Sequence, residues 1–181
     1  TDFGGDVLQI EAVANQGKDD SKGNYTITGN LGEVMKESAE AAYNWIKSHK
    51  MLFSMTNSQV CSDLHIHCPE GAVPKDGPSA GVAITTAIIS CLTNRPVDNN
   101  VAMTGEVTLR GQALPIGGLR EKSLAALRSG IKTIIVPKDN KKAVDELPKE
   151  VKDNLSIVYM KNVDDANRRS EERRVGKECR S

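Results

Sequence analysis

Alternating and β-branched apolar residues run through Asp6-Val-Leu-Gln-Ile-Glu-Ala-Val-Ala14, which reads as a strand. A polar segment rich in Gly, Lys and Asp follows at 15–23. Asn24-Tyr-Thr-Ile-Thr28 reads as a second strand, and the pattern predicts a hairpin with a long loop. Beyond the break at Gly29-Asn-Leu-Gly32, apolar Val34, Ala41, Ala42, Trp45 and Ile46 recur at helical spacing. Glu33 at the start and Lys47 and Lys50 at the end suit the helix dipole, so a helix is expected over 33–50. No period is clear over 51–62, which reads as a loop or ragged helix end. Residues 63–68 read as a short strand. The proline- and glycine-rich stretch 69–78 is a loop. Residues 79–92 are nearly all small or apolar, the mark of a helix buried around most of its circumference.

The second half continues the mixture. Strands are expected at 101–104, 106–109 and 112–116, punctuated by Gly105 and Gly111. A helix over 119–129 ends at Gly130. A buried-type strand at 131–136 stops at Pro137, a short helix covers 140–147, and a last strand covers 155–160. The sum is an α+β domain, α/β-like in having two layers, with mixed sheets and packed helices.

Composition bounds this picture without changing it. The chain has 181 residues, 38% apolar and 27% charged, enough for one ordinary domain or one domain and a tail. With 24 basic and 24 acidic residues, it lacks the basic surface of a general nucleic-acid binder. No apolar run is long enough to span a bilayer. Thr1-Asp-Phe-Gly-Gly5 does not read as a signal peptide, and the absence of an initiator Met suggests a fragment or processed product. Cys61, Cys68, Cys91 and Cys179 form no CxxC motif, and reduced, mostly buried thiols are expected. The stretch from Arg168 to Ser181 holds six basic and three acidic residues. It reads as a disordered tail, foreign to a domain over 1–167.

Two segments could carry chemistry. In Pro74-Lys-Asp-Gly-Pro-Ser-Ala-Gly81, Ser79 stands where a Gly/Pro loop meets the buried helix. The first amides of a helix lack helical partners there, and an oxyanion formed at Ser79 would be stabilised. The bland alternative makes Ser79 part of a helix start, with Asp76 as cap and Pro78 in the first turn. In Pro115-Ile-Gly-Gly-Leu-Arg-Glu-Lys122, Lys122 lies on the stripe with small and apolar neighbours. A buried lysine can act as a base; the alternative is a solvated lysine beside Arg120 and Glu121. Of the three histidines, His65 and His67 share one face of a strand, and neither a metal site nor a triad base is expected there.

These segments occur in order with Met103-Thr-Gly-Glu-Val-Thr-Leu-Arg-Gly111, Leu31-Gly-Glu-Val-Met-Lys-Glu-Ser38, His65-Ile-His-Cys-Pro-Glu-Gly71 and Gly130-Ile-Lys-Thr-Ile-Ile-Val-Pro137. Over about residues 4–165 the chain resembles the proteolytic domain of the Lon family of ATP-dependent serine proteases. The resemblance implies a Ser–Lys dyad, with Ser79 as nucleophile and Lys122 as general base. It implies that Thr104 orients the lysine and that Asp76 belongs to a loop that switches between blocked and open states. Glu11, His65 and His67 take supporting places near the site. It further implies a motor domain using ATP and Mg, a homo-hexameric ring, and unfolded or degron-bearing polypeptides as substrates. The expected setting is a reducing interior, the bacterial cytoplasm or an organelle matrix, with no membrane or nucleic-acid partner. No GxxxxGK[ST] motif occurs, since Gly176-Lys177 is followed by Glu178 and lacks the upstream glycine. A ring-forming scaffold of the same fold in a DNA-handling protein, and a small-molecule-binding module, are the alternatives from other classes.

Overall fold

A computed structural model of the chain describes residues 7–15, 22–70 and 75–171. In chain order the elements are β1 (Glu11–Asn15), β2 (Tyr25–Thr28), α1 (Glu33–Ser48), a 3₁₀ turn (Lys50–Phe53), α2 (Asn57–Val60), β3 (Asp63–His67) and α3 (Gly81–Thr93). There follow β4 (Val101–Met103), β5 (Glu106–Val107), β6 (Ala113–Leu114), α4 (Leu119–Arg128) and β7 (Thr133–Pro137). A second 3₁₀ turn (Lys138–Asn140), α5 (Lys141–Asp145), α6 (Lys149–Asn154), β8 (Ser156–Met160) and α7 (Val163–Ser170) complete it. The class is α+β, as the pattern predicts.

The expected hairpin of the first two strands does not form. The sheet order is β1-β3-β2, with β3 antiparallel to β1 and parallel to β2. The physical reason is burial. Leu64 and Ile66 are the fully buried pair of this sheet, whereas β1 and β2 present only half-buried apolar residues on their inner faces. The most apolar strand therefore takes the centre, and α1 becomes the crossover between the parallel strands β2 and β3. The second sheet, β4-β7-β8, is parallel throughout, and β7 at its centre is buried from Ile134 to Pro137.

Helix α3 is the spine of the larger core. Val82, Ile84, Thr85 and Ile88 are wholly buried, and α3 packs against α1, whose buried face includes Ala39 and Ala42. Each such isoleucine contributes about 1.5–3 kcal/mol by leaving water. A second, smaller core lies under α4 and α6, where Leu119, Val151 and Leu155 meet Ile134 and Val136. The β5–β6 hairpin closes over the larger core; its turn sets Gly111 against the Trp45 ring, where an added Cβ would lie 2.5 Å from the indole.

The C-terminal boundary differs from the expectation. Residues 168–170 belong to α7, which starts with a capping box between Asn162 and Asp165 and carries its buried face to Ala166, Asn167 and Ser170. The dense charge of 168–174 hid that face, because only small residues mark it. The remainder of the expected tail, 172–181, lies outside the described residues. Helix α6 also escapes the apolar pattern, since Val151 is its one buried residue.

Candidate active site

The loop that leads into α3 ends in a turn at Ser79 and Ala80, and regular helix starts at Gly81. Ser79 is half-buried. Its carbonyl accepts the Gly105 amide at 2.9 Å and the Thr104 hydroxyl at 3.4 Å, while the Gly105 carbonyl accepts the Val82 amide at 3.0 Å. The segment that leaves β4 thus stitches both sides of the serine. Gly105 sits at φ +155, and a Cβ there would lie 2.9 Å from Val82 Cγ2 and 3.0 Å from Met160 Cε. Only glycine passes between those side chains with that backbone. The sequence marks Gly105 merely as a break between strands.

The Gly81 amide donates to the Pro78 carbonyl at 3.1 Å. Among the described residues, the amides of Ser79 and Ala80 have no partner. They are the helix-start donors available to an oxyanion beside the Ser79 hydroxyl.

Lys122 lies in the first turn of α4 and is half-buried. Burial pushes its ammonium below the ordinary lysine value, and the carboxylate of Glu121 partly opposes this. Its Nζ donates to the Gly117 carbonyl at 2.9 Å, and among the described residues no hydrogen bond joins Nζ to the Ser79 hydroxyl. The two are linked through the second sheet. Thr104 donates its amide to the Ile135 carbonyl at 3.1 Å, and Leu119 of α4 packs on the same strand at Ile134 and Val136. Gly117, whose carbonyl holds the amine, reads in sequence only as half of a Gly-Gly turn.

Thr104 is buried, and its hydroxyl points at the Ser79 carbonyl rather than at the lysine. Asp76 is exposed and does not cap α3. Its Oδ1 accepts the Met35 amide at 3.0 Å and the Gly77 amide at 2.8 Å, so it caps the start of α1 from far along the chain. The Gly77 and then the Met35 amide hold its carboxyl below the usual carboxylate range.

Glu11, His65 and His67 come together on the outer face of the first sheet, with Glu11 opposite His67 across β1 and β3. The Thr28 hydroxyl stands between the imidazoles, 2.9 Å from His65 Nε2 and 2.7 Å from His67 Nδ1. A hydroxyl can donate to one ring and accept from the other, which couples their tautomers. A shallow depression of about 390 Å³ lies on the same face, lined by Val13, Asn15, Asn24, Thr26, Asp63, Leu64 and His65. Its lining includes neither Ser79 nor Lys122.

The arrangement defines an α+β domain in which a serine stands at the open start of a buried helix and a desolvated lysine lies on the neighbouring sheet-packed helix. The chain belongs to the family described as the Lon protease (S16) C-terminal proteolytic domain, whose model matches residues 1–170. It is 51% identical over 166 residues to the Lon protease of Wolbachia pipientis subsp. Culex pipiens, 52% to that of Mycoplasma mycoides subsp. mycoides, and 53% to that of Azospirillum brasilense. Each match covers 91% of this chain and 20% of the relative, so the chain spans about one fifth of the length of the curated relatives it matches.

Proposed function

We propose that this domain hydrolyses peptide bonds as the proteolytic part of a Lon-type serine endopeptidase, with Ser79 as nucleophile and Lys122 as general base. One observation carries the reading: Ser79 is fixed through its carbonyl by Gly105 and Thr104 while the Ser79 and Ala80 amides are left to receive a negative oxygen. The family membership and the lowered pKa of Lys122 support it.

In the reaction, neutral Lys122 takes the Ser79 proton as Oγ bonds to the substrate carbonyl carbon. The tetrahedral oxyanion rests on the Ser79 and Ala80 amides; removal of one such donor costs about 2.7–4 kcal/mol in comparable sites. Collapse breaks the C–N bond, and the Lys122 ammonium returns its proton to the leaving amine. Water then attacks the acyl ester as Lys122 takes its proton; the C–Oγ bond breaks, and the Lys122 ammonium returns that proton to Ser79 Oγ. For this chemistry the amine must first leave the Gly117 carbonyl, to which it donates at 2.9 Å.

In the whole protein, this chemistry would serve the degradation of misfolded or regulatory polypeptides in a six-membered ring. ATP and Mg would belong to a motor portion; the chain has no nucleotide-binding loop motif, and no step above runs through them. Among the described residues no helix is long and apolar enough to cross a membrane. The bacterial cytoplasm is the proposed setting, by analogy with the bacterial relatives.

The test is cleavage of an unstructured peptide. Ser79→Ala should lose at least about 10³-fold in turnover, and Lys122→Arg nearly as much, because a guanidinium stays protonated. Wild-type turnover in either variant would remove the dyad.

A further inference from the structure

The N-cap of α1 is Gly32, a residue accepted at that position, but it offers no side-chain oxygen to the first amides. Gly32 has φ −73 and ψ 170, a backbone that any residue adopts, so conformation does not demand glycine. Space does. A Cβ on Gly32 would lie 2.2 Å from Asp76 Cγ, 2.3 Å from Oδ2 and 2.6 Å from Oδ1. The carboxylate of Asp76 occupies the volume where the side chain of the N-cap would stand, and does the N-cap's work on the Met35 amide.

The neighbouring backbone is aligned with this seat. The Gly32 amide donates to the Lys75 carbonyl at 2.7 Å and the Lys75 amide to the Asn30 carbonyl at 3.0 Å. Lys75 Nζ reaches the Gly29 carbonyl at 3.0 Å and the Glu70 carbonyl at 2.8 Å. Asp76 then turns the chain by binding its own neighbour's amide at Gly77, two residues before Ser79.

We propose that Gly32 is a positioning residue for the nucleophile: its missing side chain is the seat into which Asp76 docks, and this docking sets the register of residues 75–79 against α1. The inference rests on the reading of Ser79 as nucleophile. A methyl at position 32 falls on the end of a short side chain, so the strain is relieved by Asp76 leaving its seat rather than by the core moving. A hydroxyl at position 32 goes further. Serine there gives α1 a cap of its own and makes Asp76 redundant for the helix, though not for the loop.

That difference separates positioning from stability. The 181-residue chain, as wild type, Gly32→Ser, Gly32→Ala, Asp76→Ala and the double variant Gly32→Ala/Asp76→Ala, is treated with a fluorophosphonate, and the acylation rate of Ser79 is measured beside the melting temperature. Gly32→Ser should acylate about 10- to 100-fold more slowly while melting at or above the wild-type temperature. Peptide turnover should fall in kcat with KM held. The double variant should be no slower than Asp76→Ala, because both changes remove the same docked carboxylate. Wild-type acylation in Gly32→Ser, or losses that multiply in the double variant, would overturn the proposal. Amide exchange reads the seat without activity: residues 75–79 should exchange faster in Gly32→Ser, and unchanged exchange would also overturn it. Labelling that persists in Ser79→Ala would instead indict the nucleophile assignment, with the exchange result still deciding the role of Gly32.

Discussion

Helices α1 and α3 begin in opposite ways. The start of α1 is closed by a borrowed carboxylate, with Asp76 seated over Gly32 and bound to the Met35 amide. The start of α3 is held only from outside its first turn, by the Pro78 and Gly105 carbonyls on the Gly81 and Val82 amides, while Ser79 and Ala80 keep theirs unfilled among the described residues. Both sites come from one loop, 75–81, whose two ends serve the two helices. At a helix start completed by a carboxylate, the amide it binds is no longer free for a reacting oxygen. A start whose donors stay open can receive charge as it develops in a reaction.

Emptying the open end of its base should have the largest effect. Lys122→Met should reduce peptide turnover by about 10³-fold or more without lowering the melting temperature, because the half-buried amine gives way to an apolar group of similar length. The pH profile sharpens the point. Burial lowers the Lys122 pKa, so the neutral base is lost as pH falls, and kcat/KM should decline on its acidic side at a pH below the ordinary lysine value of 10.5. The sign for stability follows: the charged form is disfavoured in the fold, so Lys122 opposes folding at low pH and ceases to do so as pH rises past 10.5.

The link that holds the open end in place comes next. Gly105→Ala brings a methyl within 2.9 Å of Val82 at a φ of +155 and should destabilise by about 1–3 kcal/mol, with a loss of turnover larger than the fraction unfolded explains. Chemical denaturation paired with peptide turnover checks both. Packing beneath the same helix should matter less: Ile88→Val should cost about 0.5–1.5 kcal/mol in denaturant and leave turnover per folded molecule unchanged. The smallest effect is on stability in acid, at the closed end. The Gly77 and Met35 amides hold Asp76 below the ordinary value of 3.8, so its contribution is full above that pH and fades as pH falls through the lower folded value. Acid titration of the melting temperature should show a small extra loss in the wild type that Asp76→Asn lacks.

The sequence carries the large apolar elements well. The all-round apolar run of α3 and the β-branched run of β7 are found close to their expected bounds, because burial leaves a continuous mark in composition. The partners of β1 and β2 were not legible, since local alternation says nothing about which distant strand is more buried. Ser79 and Lys122 were legible as a helix-start serine and a stripe lysine, and their pairing came from the resemblance. The docking of Asp76 on α1 could not be read, because it depends on a vacancy at Gly32 rather than on any local turn. The bond from Lys122 to the Gly117 carbonyl depends on a rotamer, which no spacing encodes.

The central place of β3 also bears on how the chain assembles. Two strands near the amino end have no ladder to join until residues 63–67 arrive, so neither can nucleate as a local hairpin. During synthesis both would wait, with their apolar faces uncovered, through the making of α1 and the segment after it. This sheet should therefore condense late and all at once, and a chain stopped short of Asp63 should hold no β-structure at Glu11–Asn15 or Tyr25–Thr28.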